Sequence, residues 1–303
     1  MSQEEFSYIC LSIRKTVNGE DGHLLRLMIG KAGAGKTAAI INEIKRDMAS
    51  AHGRALMIVP EQYSHEAERE LAQRCGDTAS LYAEVLSFSR LAHRVAIGCG
   101  GSARVYIDKP GRFLQLSLAL EQVGGALSVY GGSARSPERM VQLLSALDEL
   151  RFGCTAPDAL RKAAESATPS LAGKLRDLAL LQEALDALSA QSGADPAGRL
   201  DVLAEQLPGC AWLRSAKFYI DGFTDFTAQE RRVIRALLPL ADVTVCLTCD
   251  DLASGSEVFS LARRTMRALR DAAEEDGVAV EIVSVPRGED RTPFAFLEEN
   301  LFG

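Results

Sequence analysis

No run of apolar residues in this 303-residue sequence reaches the roughly 18 that a membrane span requires. The opening segment, MSQEEFSYICLSIRKTVNGEDG, lacks the basic start and apolar core of a secretory signal. Both absences point to the cytoplasm and away from a membrane partner. Positive charge is in short supply: 34 Lys and Arg against 41 Asp and Glu leave a formal charge of −7. That argues against a broad basic face for duplex DNA, while leaving room for a local groove in which stacking and a few basic residues hold a single strand. The seven cysteines are scattered, which fits reduced thiols better than a disulfide framework. The one close pair, Cys246 and Cys249 in VTVCLTCDD, falls in a β-branched run that puts the two side chains on opposite faces of a strand. No second pair follows at metal-ligand spacing, so the pair reads as buried strand cysteines rather than a metal or redox site. His52 and His65 show no ligand spacing either.

What is present is the composition of a soluble globular protein, 47% hydrophobic and 25% charged, long enough for one large domain or two ordinary ones. The first hundred residues alternate strand and helix signals: a buried strand LLRLMIG (24–30), a helix over 36–50, a strand RALMIVP (54–60), a helix over 64–75 with Ser64 as N-cap, and a strand AEVLSF (83–88). This is the rhythm of a parallel sheet with helices on both faces. From Asp108 to Leu207 the strand signal vanishes and helical stretches follow one another, split by Gly, Pro and Ser. Leu171, Leu175, Leu178, Leu181 and Leu185 mark one apolar helix face. Strand signals return at AKFYIDGF (216–223), DVTVCLTCD and VAVEIVSV, with helices between them, and the chain closes on the amphipathic TPFAFLEENLFG. The expected organisation is an α/β domain over 1–107, an all-helical insertion over 108–207, and the rest of the α/β domain over 208–303.

Gly30-Lys31-Ala32-Gly33-Ala34-Gly35-Lys36-Thr37 matches G-x-x-x-x-G-K-[ST] after a strand and before a helix, the context a phosphate-binding loop needs. The glycines let successive backbone N–H groups turn inward, and the helix N-terminus adds partial positive charge. Lys36 is expected to reach the β- and γ-phosphates of ATP, and Thr37 to offer its hydroxyl to Mg²⁺. A working nucleoside triphosphatase also needs an acidic residue at a neighbouring strand end to hold Mg²⁺, commonly followed by a carboxylate that activates water. Asp221, ending KFYI, is the candidate metal ligand, with a turn or cap aspartate as the competing reading. The next residue is Gly222, which cannot polarise water. Asp225 is acidic but sits beyond the strand end.

The order of these motifs resembles a superfamily 1 DNA helicase motor, and the combination GKAGAGKT, VPEQYSHEAERE, VLSFSRLAHRV and IDGFTDFTAQE resembles the N-terminal region of the AddB (RexB) family over essentially the whole chain. The resemblance implies a RecA-like P-loop sheet with the helical insertion between its third strand and the strand ending at Asp221. YIDGFTDFTAQE departs from the helicase pattern D-E-F-Q-D by losing the glutamate to Gly222 and the glutamine to Thr224, and VCLTCDD stands where a working helicase carries a glutamine that senses the γ-phosphate. Family members pair with an AddA-type helicase–nuclease subunit, act on DNA ends and single strands in recombinational repair, and contribute a degenerate motor that helps read the Chi sequence. They are much longer and end in a nuclease domain stapled by an iron–sulfur cluster. The resemblance therefore implies a fragment or truncated form in which no such cluster is expected.

Phe88, Ser89, Arg90 and Arg94 lie near the segment that touches single-stranded DNA in related motors, with packing (Phe88) and a solvated basic face (Arg90, His93, Arg94) as competing readings. Gln62, beside Pro60-Glu61, is a candidate for adenine or DNA contact, or for turn structure. Three functions stay open: a degenerate ATP-binding motor domain, which the missing glutamate favours; an active translocase with another carboxylate in its place; and a P-loop kinase of a small molecule with the helical block as its lid.

Overall fold

Strands buried on both faces of a parallel sheet must be apolar almost throughout, and the core strands of this chain are. In a computed structural model, residues 13–15, 22–49, 53–99, 106–131, 136–252 and 257–286 are described. The carboxyl-terminal TPFAFLEENLFG and most of the acidic amino-terminal segment lie outside these. In chain order the elements are β1 (Ile13–Lys15), β2 (Leu24–Gly30), α1 (Lys36–Ala49), β3 (Arg54–Ile58), α2 (Ser64–Cys75), β4 (Ala83–Leu86) and α3 (Phe88–Gly98). Then come α4 (Lys109–Val123), α5 (Pro137–Phe152), α6 (Pro157–Ser166), α7 (Pro169–Ser192) and α8 (Arg199–Gln206). The last are β5 (Ala216–Ile220), α9 (Ala228–Leu237), β6 (Asp242–Thr248), α10 (Ser260–Glu275) and β7 (Ala279–Ser284). Among the described residues no helix is long and apolar enough to cross a membrane.

The strands form one sheet in the order β1-β7-β2-β6-β5-β3-β4. β1 pairs antiparallel with β7, and every other neighbour is parallel. Gly30 lies opposite Thr248, and Ile220 opposite both Val245 and Ile58, so the carboxyl ends of β2, β6, β5 and β3 meet at one edge. The described residues fall into two compact units. One lies within Met1–Arg90, Cys210–Phe226 and Ile234–Gly303, the other within Leu91–Gly209 and Thr227–Val233. The expected boundary at 107/108 falls between α3 and α4, and that at 207/208 in the tight turn after α8.

In the α/β unit, α1 buries Ile40, Ile41 and Ile44 against Met57, Val85, Tyr219 and Cys246 of the sheet. Polar rungs run beside this apolar seam. Lys217, Tyr219 and Asp221 alternate along β5 and its end, hence share a face. They meet Asp47 (2.7 Å), Glu43 (3.0 Å) and Thr37 (2.6 Å) of α1 respectively. Glu43 also takes Arg26 Nη1 (2.8 Å), whose Nε donates to Glu281 (3.0 Å). Burial opposes the Arg26 charge, but the two carboxylates outweigh it and raise the guanidinium pKa above its ordinary value.

Local chemistry moves several expected boundaries. Ser87 Oγ accepts from Arg90 N (3.2 Å), so the strand expected over 83–88 stops at Leu86 and Phe88 opens α3. Ser64 does not cap α2. A tight turn at Glu61–Tyr63 runs directly into the helix, and the Ser64 hydroxyl donates back to Glu61 O (2.8 Å). Cys75, Cys154, Cys246 and Cys249 are free thiols, whereas Cys99 and Cys210 are each in the disulfide state, a departure from the expectation of thiols throughout. Bridging depends on Cα separation in the fold, which spacing along the chain does not reveal.

The helical unit packs Leu116, Leu120, Leu143, Leu147, Leu160, Leu181 and Leu185 into its own core. Of the expected α7 face, Leu178, Leu181 and Leu185 are buried and Leu175 is partly so, while Leu171 in the first turn stays exposed. Proline opens α5, α6 and α7, where its missing N–H costs nothing. One buried carboxylate stands out. Asp177 of α7 accepts from Ser128 N (2.9 Å), Ser128 Oγ (3.1 Å), Val129 N (2.7 Å) and Tyr130 N (2.9 Å), fixing the loop after α4. Burial pushes its pKa up, but the hydrogen bonds outweigh this and hold it below the ordinary 3.8. Its stabilisation is therefore complete above the unfolded-state value and lost as pH falls through the lower, folded-state value. Asp177→Asn is expected to cost about 1–3 kcal/mol in denaturant melts at pH 7. The gap between variant and parent should shrink only below about pH 4; a gap that stays constant into strong acid contradicts this role.

Candidate functional site: the phosphate loop at the carboxyl edge of the sheet

Residues 30–37 leave β2 and turn into α1. Gly33 and Gly35 adopt φ of +74° and +87°, the left-handed region that glycine enters freely. A Cβ on either would meet nothing within 4 Å, so the space over the loop is open. Gly30 is glycine for another reason: a Cβ there would stand 2.7 Å from Val285 O. Because α1 begins at Lys36, the N–H groups of its first turn have no intrahelical acceptor and form an anion-binding end.

Lys36 is folded back onto its own loop, donating Nζ to Gly30 O (2.7 Å) and Lys31 O (3.0 Å). Burial lowers its pKa, opposed in part by Asp221. The carbonyls solvate the ammonium without neutralising it, so its charge remains for an anion. Thr37 Oγ1 donates to Asp221 Oδ2 at 2.6 Å. Asp221 is 6% exposed, and its N–H is fixed on Ile58 O (3.0 Å). The two expected magnesium ligands are thus neighbours. With Mg–O bonds of about 2.0–2.1 Å, oxygens on adjacent octahedral vertices lie about 2.9 Å apart, so the pair fits the ion after a shift of tenths of an ångström.

Gly222 takes φ +81°, and a Cβ there would meet Pro60 Cδ at 3.3 Å. The missing carboxylate is therefore built into the backbone as well as the side chain. Asp225 accepts a hydrogen bond from Thr265 Oγ1 of α10 and is committed to that helix.

The other candidates are less concentrated. Gln62 is exposed in the turn after β3, and Ser89 is half-buried in the first turn of α3. Phe88 is 5% exposed, its ring 5.5 Å from that of Phe223 and 6.5 Å from that of Phe226. It is core, which corrects its use as a stacking platform. Arg90 pairs with Glu68 (2.9 Å) at the surface of the α/β unit, and Arg94 belongs to the helical unit. Cys246 and Cys249 are buried, and burial pushes both thiols up, away from reactivity. Sequence reading missed Asp250, just past β6, and its partner Arg263 on α10, joined at 3.0 Å. A carboxylate at the end of a parallel strand is a signal; nothing local marks Arg263.

A parallel sheet carrying this loop and this aspartate at its carboxyl edge, with a helical block inserted before the aspartate's strand, is the RecA-like P-loop class. Within that class, the chain belongs to the family described as ADDB, N-terminal, whose model matches residues 27–298. It is 34% identical over 273 residues to the B-type subunit of the ATP-dependent helicase/deoxyribonuclease of Desulforamulus reducens, an alignment covering 85% of this chain and 23% of that protein. The like-named protein of Geobacillus thermodenitrificans is 34% identical over 296 residues (91% and 25%), and that of Pelotomaculum thermopropionicum 36% over 270 (85% and 23%). The chain thus spans about a quarter of the length of these relatives.

Gly222→Ala is expected to destabilise the chain by about 1–2 kcal/mol, the cost of a Cβ at left-handed φ, read as a lower urea midpoint at unchanged slope. An unchanged midpoint means that the backbone relaxes there at no cost.

Proposed function

We propose that this chain is the N-terminal, helicase-like domain of a B-type subunit in an ATP-dependent helicase/deoxyribonuclease, that it binds ATP with Mg²⁺, and that it hydrolyses ATP weakly or not at all. Its partners are an AddA-type helicase–nuclease subunit and the single-stranded or duplex end of broken DNA, in recombinational repair in the cytoplasm. Supporting the binding half of this reading, the N–H groups in the first turn of α1 and the Lys36 ammonium are suited to the phosphates, and Thr37 with Asp221 to the metal. Bound Mg²⁺ would supply charge neutralisation on the phosphate oxygens. The chain's own part is to orient the phosphates on the loop and hold the Thr37 hydroxyl and Asp221 carboxylate ready.

The observation that carries the second half is Gly222. The position after the metal-binding aspartate has neither a proton acceptor nor the backbone conformation that a glutamate prefers. Asp225, the natural substitute, is hydrogen-bonded to α10.

Calorimetric titration with Mg²⁺-ATP, run beside a phosphate-release assay with and without single-stranded DNA, tests both halves. Binding without turnover is expected. DNA-stimulated turnover would make the domain an active translocase and overturn the second half; absence of binding would overturn the first. Lys36→Ala should abolish binding while leaving the circular dichroism spectrum and melting temperature near those of the parent, and normal ATP binding by this variant would sink the loop assignment. Gly222→Glu should not create a helicase, since one side chain cannot restore both the acceptor and the backbone around it. Processive unwinding of a forked duplex by that variant is the contrary result.

A further inference from the structure

The amino edge of the sheet, opposite the phosphate loop, holds a cavity of about 530 Å³. It opens where β2, β3, β5 and β6 begin, and His23, Asp47, Arg214, Lys217 and Asp242 line it. Its wall is backbone. Gly53 takes φ +65°, and a Cβ there would stand 2.5 Å from Ser215 O, so the turn before β3 is pressed onto the turn before β5. Ligands of open parallel sheets sit beyond the carboxyl ends of the strands, so the phosphate loop has no claim on this edge. Lys36 and Asp47, near the two ends of α1, are about 16 Å apart along the helix.

The two carboxylates of the cavity are already engaged. Asp47 accepts from Lys217 Nζ (2.7 Å), and Asp242 accepts from Leu24 N (3.0 Å) with His23 Nδ1 at 3.8 Å. The cations are not used up. An ammonium carries three donors, and Lys217 gives one to Asp47. Arg214 is exposed at the end of the tight turn Ala211–Ser215 and has no hydrogen bond or ion pair among the described residues, although a guanidinium carries five donors. The vacant capacity is for an anion, set beside carboxylates that still have lone pairs to offer.

We propose that this cavity is a docking pocket for a segment of a protein partner that carries an acidic side chain, held by Arg214 and Lys217 together. A peptide answers both halves of the lining. Its carboxylate meets the donors, and its backbone N–H groups meet the remaining lone pairs of Asp47 and Asp242. A nucleic-acid backbone brings acceptors and repeated negative charge, which the same two carboxylates repel. The volume falls within the range of sites that enclose a drug-sized ligand, enough for a few side chains. The proposal does not rest on nucleotide binding.

The test is nuclear magnetic resonance titration of the nitrogen-15-labelled full chain, followed at the Arg214 Nε–H and at the backbone N–H groups of Gly53 and Ser215. The probes are the capped peptide acetyl-Ala-Ala-Glu-Ala-Ala-amide, its Gln counterpart and octathymidylate. The Glu peptide should move the three signals along one saturating curve, and the Gln peptide should bind about tenfold more weakly, the scale of losing one charge-assisted contact. Arg214→Gln, read at Gly53 and Ser215, should weaken the Glu peptide by about the same factor, and Arg214→Lys should recover part of the loss. Because Arg214 is exposed, both variants should melt with the parent. Equal binding of the Glu and Gln peptides, unchanged binding in Arg214→Gln, or a Glu peptide that leaves the three signals unmoved overturns the proposal. Tighter binding of octathymidylate at these signals overturns it too, and gives the cavity to nucleic acid.

Discussion

The hydrogen bond from Thr37 to Asp221 ties the first turn of α1 to the end of β5, and the rest of the α/β unit is arranged so that it can form. β6 runs between the strands that carry the two residues, so α1 must lean across it, and the rungs Glu43–Tyr219 and Asp47–Lys217 hold that lean along the length of the helix. A charge-assisted bond of this kind contributes about 1.5–3 kcal/mol. Its larger effect is positional. Asp221 is pinned by its backbone to β3 and by its side chain to α1, which leaves the phosphate loop little freedom to drift from the strand ends it faces.

The acidic residues around this edge have been dealt with one by one. Asp221 holds Thr37, Asp225 holds Thr265, and Asp250 holds Arg263.

Much of this was legible in the sequence. The parallel-sheet rhythm, the strand ending at Gly30, the helix opening at Lys36 and the hundred-residue helical block all follow from apolar periodicity and from glycine and proline placement, which are local signals. The loop stood out by its motif and Asp221 by its place at a strand end, whereas the hydrogen bond that joins Thr37 to Asp221 depends on tertiary approach. Boundaries set by a single side chain were not legible: Ser87 stopped a strand two residues early, and a turn displaced Ser64 from its cap. Phe88 had the right neighbours in sequence for stacking but is claimed by Phe223 and Phe226, residues more than a hundred positions away. Asp177, with four donors around it, and Arg263, reaching back to Asp250, depend on tertiary approach and leave no trace in local pattern.

The long sequence gap between the two halves of the α/β unit has a consequence for how the protein is made. Thr37 and Asp221 are 184 residues apart. At about 5–20 residues per second, the ribosome delivers Asp221 roughly 10–40 s after Thr37. During that interval β2 lacks both of its sheet neighbours, β6 and β7, and β3 lacks β5. The helical block, whose core comes from consecutive helices, is free to condense while they wait. The nascent chain therefore carries an apolar half-sheet with open edges, the state most exposed to misassociation.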